Sequence, residues 1–474
     1  MIETRPSPVD YRTVSGEDYD WRITRKPERP YIHDYTKSIC MKMFLASPEG
    51  IHISVEKALE MIRAMDRITL GLHKILFIVG WQYNGHDTGY PAWFEANPGL
   101  KRPEDPDAET SIRWLMREAK KYNTSISFHV NVSDAYEDSP IWDEYVKNDL
   151  ICRSQDGVLT KGGVWGGRQC YLICYEKEWN SGFTAKRLDY LLDTYPIEEA
   201  GVLYLDALHN PCNASGQKCG SLRPSEIARN KICRYLRSRG VDVVSEHIYC
   251  DPPTPEGKDQ MIGLMPFGFD FSQNLDDYMT RPAQLVSGGE NFGHFKGLST
   301  KKLETLFGNG IQCETYFHHD NYREQFLDNF MRQFLPYRFL SQRDRLSVTI
   351  SSEEMDHYTV RFSDGVETQL KERLITRNGT VLRKNQDLML PAEWLPYANV
   401  ILYSPIGGEN SWNVSEFLGA DIEKVNIREI TIEGLSETFE TVDLADGCLK
   451  INQKPYVAYL VTRSPDEIDM SVYK

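Results

Sequence analysis

Between residues 37 and about 340, short apolar runs rich in β-branched and aromatic residues alternate with stretches of helical period, and after residue 345 the helical period stops. No other feature constrains the fold as strongly, because alternating strands and helices pack most simply as a parallel sheet with crossover helices. The strand candidates are 39–46, 74–80, 125–131, 202–207, 241–246 and 311–317. KILFIVG (74–80) is apolar without interruption, as a strand covered on both faces should be. Helices are expected from Ser54, with Glu56 in its first turn and Ala58, Leu59, Ile62 and Met65 as its stripe, over 108–122, from Ser225 to Gly240, and over 321–337. The segments from 345 onward, such as YTVRFS, VILYSP and YVAYLVT, alternate in polarity between Gly, Asn and Asp turns. The expected fold class is therefore α/β: a (β/α)8 TIM barrel over 37–344, an N-terminal arm over 1–36 packed on it, and a C-terminal antiparallel β-sandwich over 345–474.

Charge narrows the partners. The 474 residues carry 54 basic and 69 acidic side chains, a net −15. Such a field repels phosphate backbones and anionic lipid, so nucleic acid and membrane surfaces are poor partners and a neutral substrate is more natural. No run of about 18 apolar residues occurs, and the first residues lack the pattern of a secretory signal, which points to a cytoplasmic protein. Oligomeric state is open. The ten cysteines are scattered without CxxC spacing and are expected to be buried thiols. The Gly-rich 161–175 lacks the GK[ST] ending of a phosphate loop and fits no dinucleotide fingerprint, so no cofactor is expected. His318, His319 and Asp320 are expected to start a helix rather than hold a metal.

Polar residues gather just past the strand ends, where barrel enzymes carry their chemistry. Asp206 terminates GVLYLDALH, and a charge there is costly as strand filler. Glu246 ends VDVVSE, forty residues later, which is one helix plus loops and so the next strand. Two carboxyl groups on neighbouring strand ends, about 4.8 Å apart by strand spacing, suit a pair of acids that cleave a glycosidic bond with retention, which needs about 5–5.5 Å. Ion pairs or caps are the structural alternative. In GWQYNGHDTGYPAWF (80–94), His86 and Asp87 lie among Trp81, Tyr83, Tyr90 and Trp93, a composition suited to the faces and hydroxyls of a sugar. Asn131, ending FHVN, is placed to bind the sugar or orient a carboxylate; His129, one step inside, is equally a barrel histidine with satisfied hydrogen bonds. Trp165 in a mobile loop and His209 after Asp206 complete the substrate-binding candidates, with 290–295 and 315–320 at later strand ends.

GWQYNGHDTGYP, ISFHVNVSDAY, VLYLDALH and VVSEHIY, in this order, resemble the endo-α-N-acetylgalactosaminidases and related α-N-acetylgalactosaminidases of glycoside hydrolase families 101 and 129. NFMRQFLPYRFLSQRDRLSV (329–348) is similar to their junction between barrel and β-domain. The resemblance implies Asp206 as nucleophile, Glu246 as acid/base, and Asp87 with His86 on sugar hydroxyls near Asn131. It implies retaining removal of α-linked N-acetylgalactosamine, or of Gal-GalNAc, from O-glycan-type glycosides. The alternatives are a retaining α-glycosidase for another sugar such as α-galactose, a non-catalytic glycan-binding barrel, and a barrel aldolase or isomerase, which would want a Schiff-base lysine or metal ligands at strand ends.

Overall fold

The computed structural model describes residues 35–208, 222–245, 261–263, 316–350, 358–369 and 372–470. Its first layer is a six-stranded parallel sheet: β1 (Ile39–Phe44), β2 (Lys74–Val79), β3 (Thr124–Asn131), β4 (Val202–Asp206), β5 (Asp242–Ser245) and β6 (Met261–Gly263), paired in sequence order. The register sets Phe44 beside Val79, Ile78 beside Phe128, Asn131 beside Asp206, and Val244 beside Tyr204. A parallel sheet whose order follows the chain is the local pattern of a barrel, and six strands of the expected eight are described. Within the expected strand at 311–317, the described Tyr316–His318 is instead a single 3-10 turn.

Helices α1 (Val55–Ile68), α2 (Ala108–Ala119), α3 (Tyr175–Ser181), α4 (Phe183–Thr194) and α5 (Leu222–Ser238) supply the crossovers. The starts of α1 and α2 are capped by side chains: Ser54 accepts from the Lys57 N–H at 3.2 Å and Asp107 from that of Thr110 at 2.7 Å. Each such cap is worth about 1 kcal/mol. The apolar stripe of α1 (Ala58, Met61, Ile62, Met65, Ile68) is buried, as its period requires. Every residue of β2 is buried, so this strand is covered on both faces. At the bottom of the sheet, Tyr35, the first described residue, donates its hydroxyl to the Asp242 carboxylate at 2.7 Å and lies 2.9 Å from the Gly201 carbonyl.

From Arg345 onward the structure is antiparallel. The sandwich expected from the sequence is here one continuous 11-stranded sheet with a separate two-stranded ribbon, Gly408–Asn413 against Cys448–Gln453. The reason lies in the pairing: from Arg345 to Ser404 each strand pairs antiparallel with its predecessor, so the meander keeps extending one sheet. All six residues of the central strand Asn399–Ser404 are buried. One of its contacts is with the helical segment of the parallel domain: the Tyr403 hydroxyl donates to Asp328 at 2.6 Å. That segment runs Tyr322–Asn329, a π-helical stretch Phe330–Phe334, then Leu335–Ser341, where the sequence predicts one helix over 321–337. Among the described residues, no helix is long and apolar enough to cross a membrane.

Candidate active site

The chain turns sharply after β2, and the turn is built by glycine. Gly80 has φ +75°, and a Cβ there would overlap the Ala46 carbonyl oxygen; Gly85 has φ +121°, and a Cβ would meet the Ser47 backbone at 2.6 Å. Loop 80–94 can therefore press against the backbone that follows β1, which sets His86 over Phe44 with ring centroids 5.4 Å apart. The outer part of the loop is held by α4. Arg187, fully buried, donates to the Pro91 carbonyl at 3.1 Å, stacks 4.2 Å over Trp93, and pairs with the equally buried Glu178. Glu178 also accepts from Tyr145 and Thr184, so the carboxylate of this buried pair is well satisfied.

At the strand ends the side chains converge on Asp206, whose carboxylate is still partly open to solvent at 16%. Its Oδ2 accepts from the Asn131 amide at 3.3 Å and lies 3.7 Å from His129 Nε2. Asn131 is fixed from both ends: its oxygen accepts from the backbone N–H groups of Ser133 (2.7 Å) and Asp134 (2.9 Å), and its amide also donates to Asp134 Oδ2 at 2.9 Å. The Asn131–Asp206 bond joins paired positions of β3 and β4. Across the mouth, His86 Nδ1 is 3.3 Å from the Tyr90 hydroxyl and Nε2 is 3.4 Å from Asp87. Burial, then the nearby carboxylates of Asp87, Asp206 and Asp134, push the Tyr90 phenol well above its ordinary range, so it stays protonated.

His129 departs from the expectation of a satisfied barrel histidine. It is 1% exposed, and neither ring nitrogen has a hydrogen-bond partner among the described residues. Its ring stacks on Tyr204 (4.8 Å, 18°) and meets His86 edge-on at 5.0 Å. Lys42 of β1, itself fully buried, also meets Tyr204, with Nζ 4.0 Å from the ring centroid. Burial first, then the Lys42 charge and His86, hold the His129 imidazole well below its usual range, that is, neutral.

Of the residues singled out from sequence, the structure brings Asp206, Asn131, His86 and Asp87 together. Trp81 stands corrected: it is 0% exposed, packs on Phe128 and Tyr195, and donates its indole N–H to the His129 carbonyl at 3.0 Å, so it supports the site from behind and offers no face to a sugar. Tyr83 is half-buried, with its ring against Gly89. Trp165 is 50% exposed on the hairpin Lys161–Trp165/Arg168–Leu172. Beside it the Cys170 thiol is pushed up to about 12, by burial and then by Asp134. Glu246, His209 and the 290–295 segment lie outside the described residues. His318 caps nothing: its Nε2 is 2.8 Å from the Phe44 carbonyl and its ring lies 4.9 Å from that of His52. Among the described residues no group of three His, Cys, Asp or Glu gathers to hold a metal. Sequence reasoning missed Lys42 and Asp134 as members of the cluster, and named Tyr90 only among the aromatics of the loop.

At the strand ends, then, a carboxylate is oriented by an amide from the adjacent strand, near a His–Asp–Tyr group on the loop after β2. The family model for endo-alpha-N-acetylgalactosaminidases, glycoside hydrolase family 101, matches residues 39–249, and the chain resembles that family over this stretch, which holds the whole cluster. Two solved structures of the alpha-N-acetylgalactosaminidase NagBb from Bifidobacterium bifidum share the fold. Its GalNAc complex superposes with TM-score 0.51 at 12% identity, covering 77% of this chain and 60% of that one. A quadruple mutant gives TM-score 0.51 at 12% identity, covering 76% and 60%. The chain thus spans about three fifths of that enzyme's length.

Proposed function

We propose that this chain is a retaining glycoside hydrolase that removes α-linked N-acetylgalactosamine, or the Gal-GalNAc disaccharide, from O-glycan-type glycosides. The observation that carries the reading is Asp206 at the end of β4, partly open, held by Asn131 from the adjacent strand, inside the segment that the family model matches. In the first step an Asp206 oxygen bonds to the anomeric carbon as the glycosidic C–O bond breaks, and Glu246 gives its proton to the departing oxygen. Glu246 then takes a proton from water, whose oxygen displaces Asp206 and returns the sugar with its α configuration. The pairing of Val244 with Tyr204, each two residues short of its acid, supports the assignment of this pair. Asp87 and His86 are assigned to hydroxyls of the bound sugar, Trp165 to an apolar face of sugar or aglycone.

The test is a panel of p-nitrophenyl glycosides: α-N-acetylgalactosaminide, its Gal-β1,3 disaccharide and α-galactoside, with product anomers followed by proton NMR. Release of an N-acetylgalactosaminide with the α-anomer first is expected, and Asp206→Ala should lose at least about a thousandfold in kcat. Release from the galactoside alone would move the substrate to another sugar. Binding of the sugar without turnover would favour a glycan-binding barrel.

A further inference from the structure

The antiparallel domain holds a cavity of about 640 Å3, a size within the roughly 300–1,000 Å3 of small-ligand sites. The large sheet supplies Ile427 and Glu429, from the strand Lys424–Thr431, and Tyr459, which pairs with Glu429 from the strand Val457–Thr462. The two-stranded ribbon adds Lys450, Ile451 and Asn452, and the segment entering the strand Glu440–Asp443 adds Phe439 and Glu440. Phe439 is 47% exposed, but its turn is fixed. The buried Arg428 lies 4.9 Å from the ring centroid and donates to the Ser436 carbonyl at 3.2 Å and to that of Glu437. Lys454 is committed within the cavity, its Nζ donating to Glu429 at 2.6 Å and its backbone N–H to the Tyr459 hydroxyl at 2.8 Å. Lys450, Asn452 and Glu440 are exposed, and among the described residues their side chains make no hydrogen bond or ion pair.

We propose that this cavity is a second carbohydrate site, which takes a neutral mono- or disaccharide unit apart from the mouth around Asp206. The balance of charge selects the class. Lys450 and Lys454 are matched by Glu429 and Glu440, so the lining has no excess charge with which to hold an anion or a cation. It offers instead donors and acceptors interleaved beside an exposed ring: ammonium and amide N–H groups, carboxylate and amide oxygens, and the Ser436 and Thr438 hydroxyls. Sugar hydroxyls both donate and accept, and the C–H faces of a sugar pack on an aromatic ring. A wholly apolar ligand would leave those polar groups unpaired. The place is separate from the mouth. Ser436 is two residues from Gly434, where a Cβ would meet the Arg67 side chain at 2.7 Å, and Arg67 is in the last turn of α1. That turn lies toward the start of β2, whereas Asp206 sits at the opposite, C-terminal end of the parallel strands. A substrate carrying several sugars could therefore be held here while another sugar enters the mouth, which raises its effective concentration. That use of the site rests on the glycosidase reading; the binding itself does not.

The experiment is methyl-labelled NMR on the full chain, with the Ile427 and Ile451 resonances assigned by their loss in Ile427→Leu and Ile451→Leu. The sugar probes are Gal-β1,3-GalNAc and lactose, both β-linked and so not consumed by an α-glycosidase; inorganic phosphate is the anionic probe. Either sugar should shift both resonances saturably, and phosphate should not. Phe439→Ala should weaken binding about three- to tenfold, and Phe439→Tyr, which keeps the ring, should retain it. Asn452→Ala, which truncates an exposed side chain on the ribbon, should weaken it too, and serves where loss of the ring disturbs the turn. Resonances that ignore both sugars would overturn the proposal, as would affinities left unchanged in both Phe439→Ala and Asn452→Ala. A response to phosphate in place of the sugars would make this an anion site and overturn it equally. Saturable shifts at these isoleucines in a chain that cleaves no glycoside would sink the glycosidase reading and leave the second site standing.

Discussion

Asn131 is the side chain on which most of the site turns. It accepts two backbone N–H bonds, donates to Asp134, and donates to Asp206, all with no exposed surface. Asn131→Asp would keep the acceptors but replace both donated bonds with a third carboxyl facing Asp134 and Asp206. A cost of about 2–4 kcal/mol is expected, from lost bonds and buried repulsion. Urea denaturation at pH 7 measures it, and a loss below about 1 kcal/mol would mean that the amide does not hold the carboxylates. His129 gives a prediction about pH. Its imidazole is depressed below the ordinary 6.5 in the folded chain and ordinary in the unfolded one, so below about pH 6.5 the unfolded state binds the extra proton. Stability therefore falls as pH falls through that point, by up to about 1.4 kcal/mol per pH unit until the folded value is reached. His129→Gln should flatten the slope between pH 6 and 5 by about that amount; an unchanged slope would place the acid sensitivity elsewhere.

At the scale of elements, loop 80–94 acts as a part bolted to α4 rather than a free lid. Glu178→Ala would leave the Arg187 guanidinium buried without its carboxylate, and removing one partner of a buried pair costs about 3–5 kcal/mol. Because Arg187 also carries the Pro91 carbonyl and the Trp93 ring, the loop should loosen as well, seen as faster amide exchange at residues 82–94 than in β2. Slow exchange there would show that the glycine contacts alone seat the loop. Much of this was legible in the sequence. The strands announced themselves by apolar runs, the start of α1 by Ser54, and Asp206 and Asn131 by being polar at the ends of runs that bury everything else. Lys42 was not, since one lysine inside an apolar strand looks the same whether its stem lies along the surface or its ammonium sits in the core. Trp81 misled for the converse reason: an aromatic-rich loop has a sugar-binding composition, but composition does not say which rings face inward.

On the scale of the whole molecule, the parallel sheet and the antiparallel sheet share one continuous apolar core. Trp394 donates its indole N–H to the Leu70 carbonyl just past α1, meets Phe330 edge-on at 6.2 Å, and carries Arg338 5.1 Å over its ring. Tyr403 reaches Asp328, Arg343 pairs with Glu393 at 2.7 Å, and Arg323 with Glu433 at 3.0 Å. The last of these is exposed and worth less than about 1 kcal/mol, whereas the aromatic seam carries most of the coupling. Neither sheet can open without uncovering the other, so unfolding should be one cooperative transition although the chain exceeds the usual size of a single domain. Hydrogen exchange against urea tests this: amides of β2 and β3 and those of the strands Asn399–Ser404 and Val457–Thr462 should lose protection at one midpoint. Trp394→Ala should lower both together, by about 2–4 kcal/mol for a partly buried ring. Two separated midpoints, with only the antiparallel strands responding to that substitution, would show two domains that merely touch, and the site around Asp206 would then owe nothing to the C-terminal sheet.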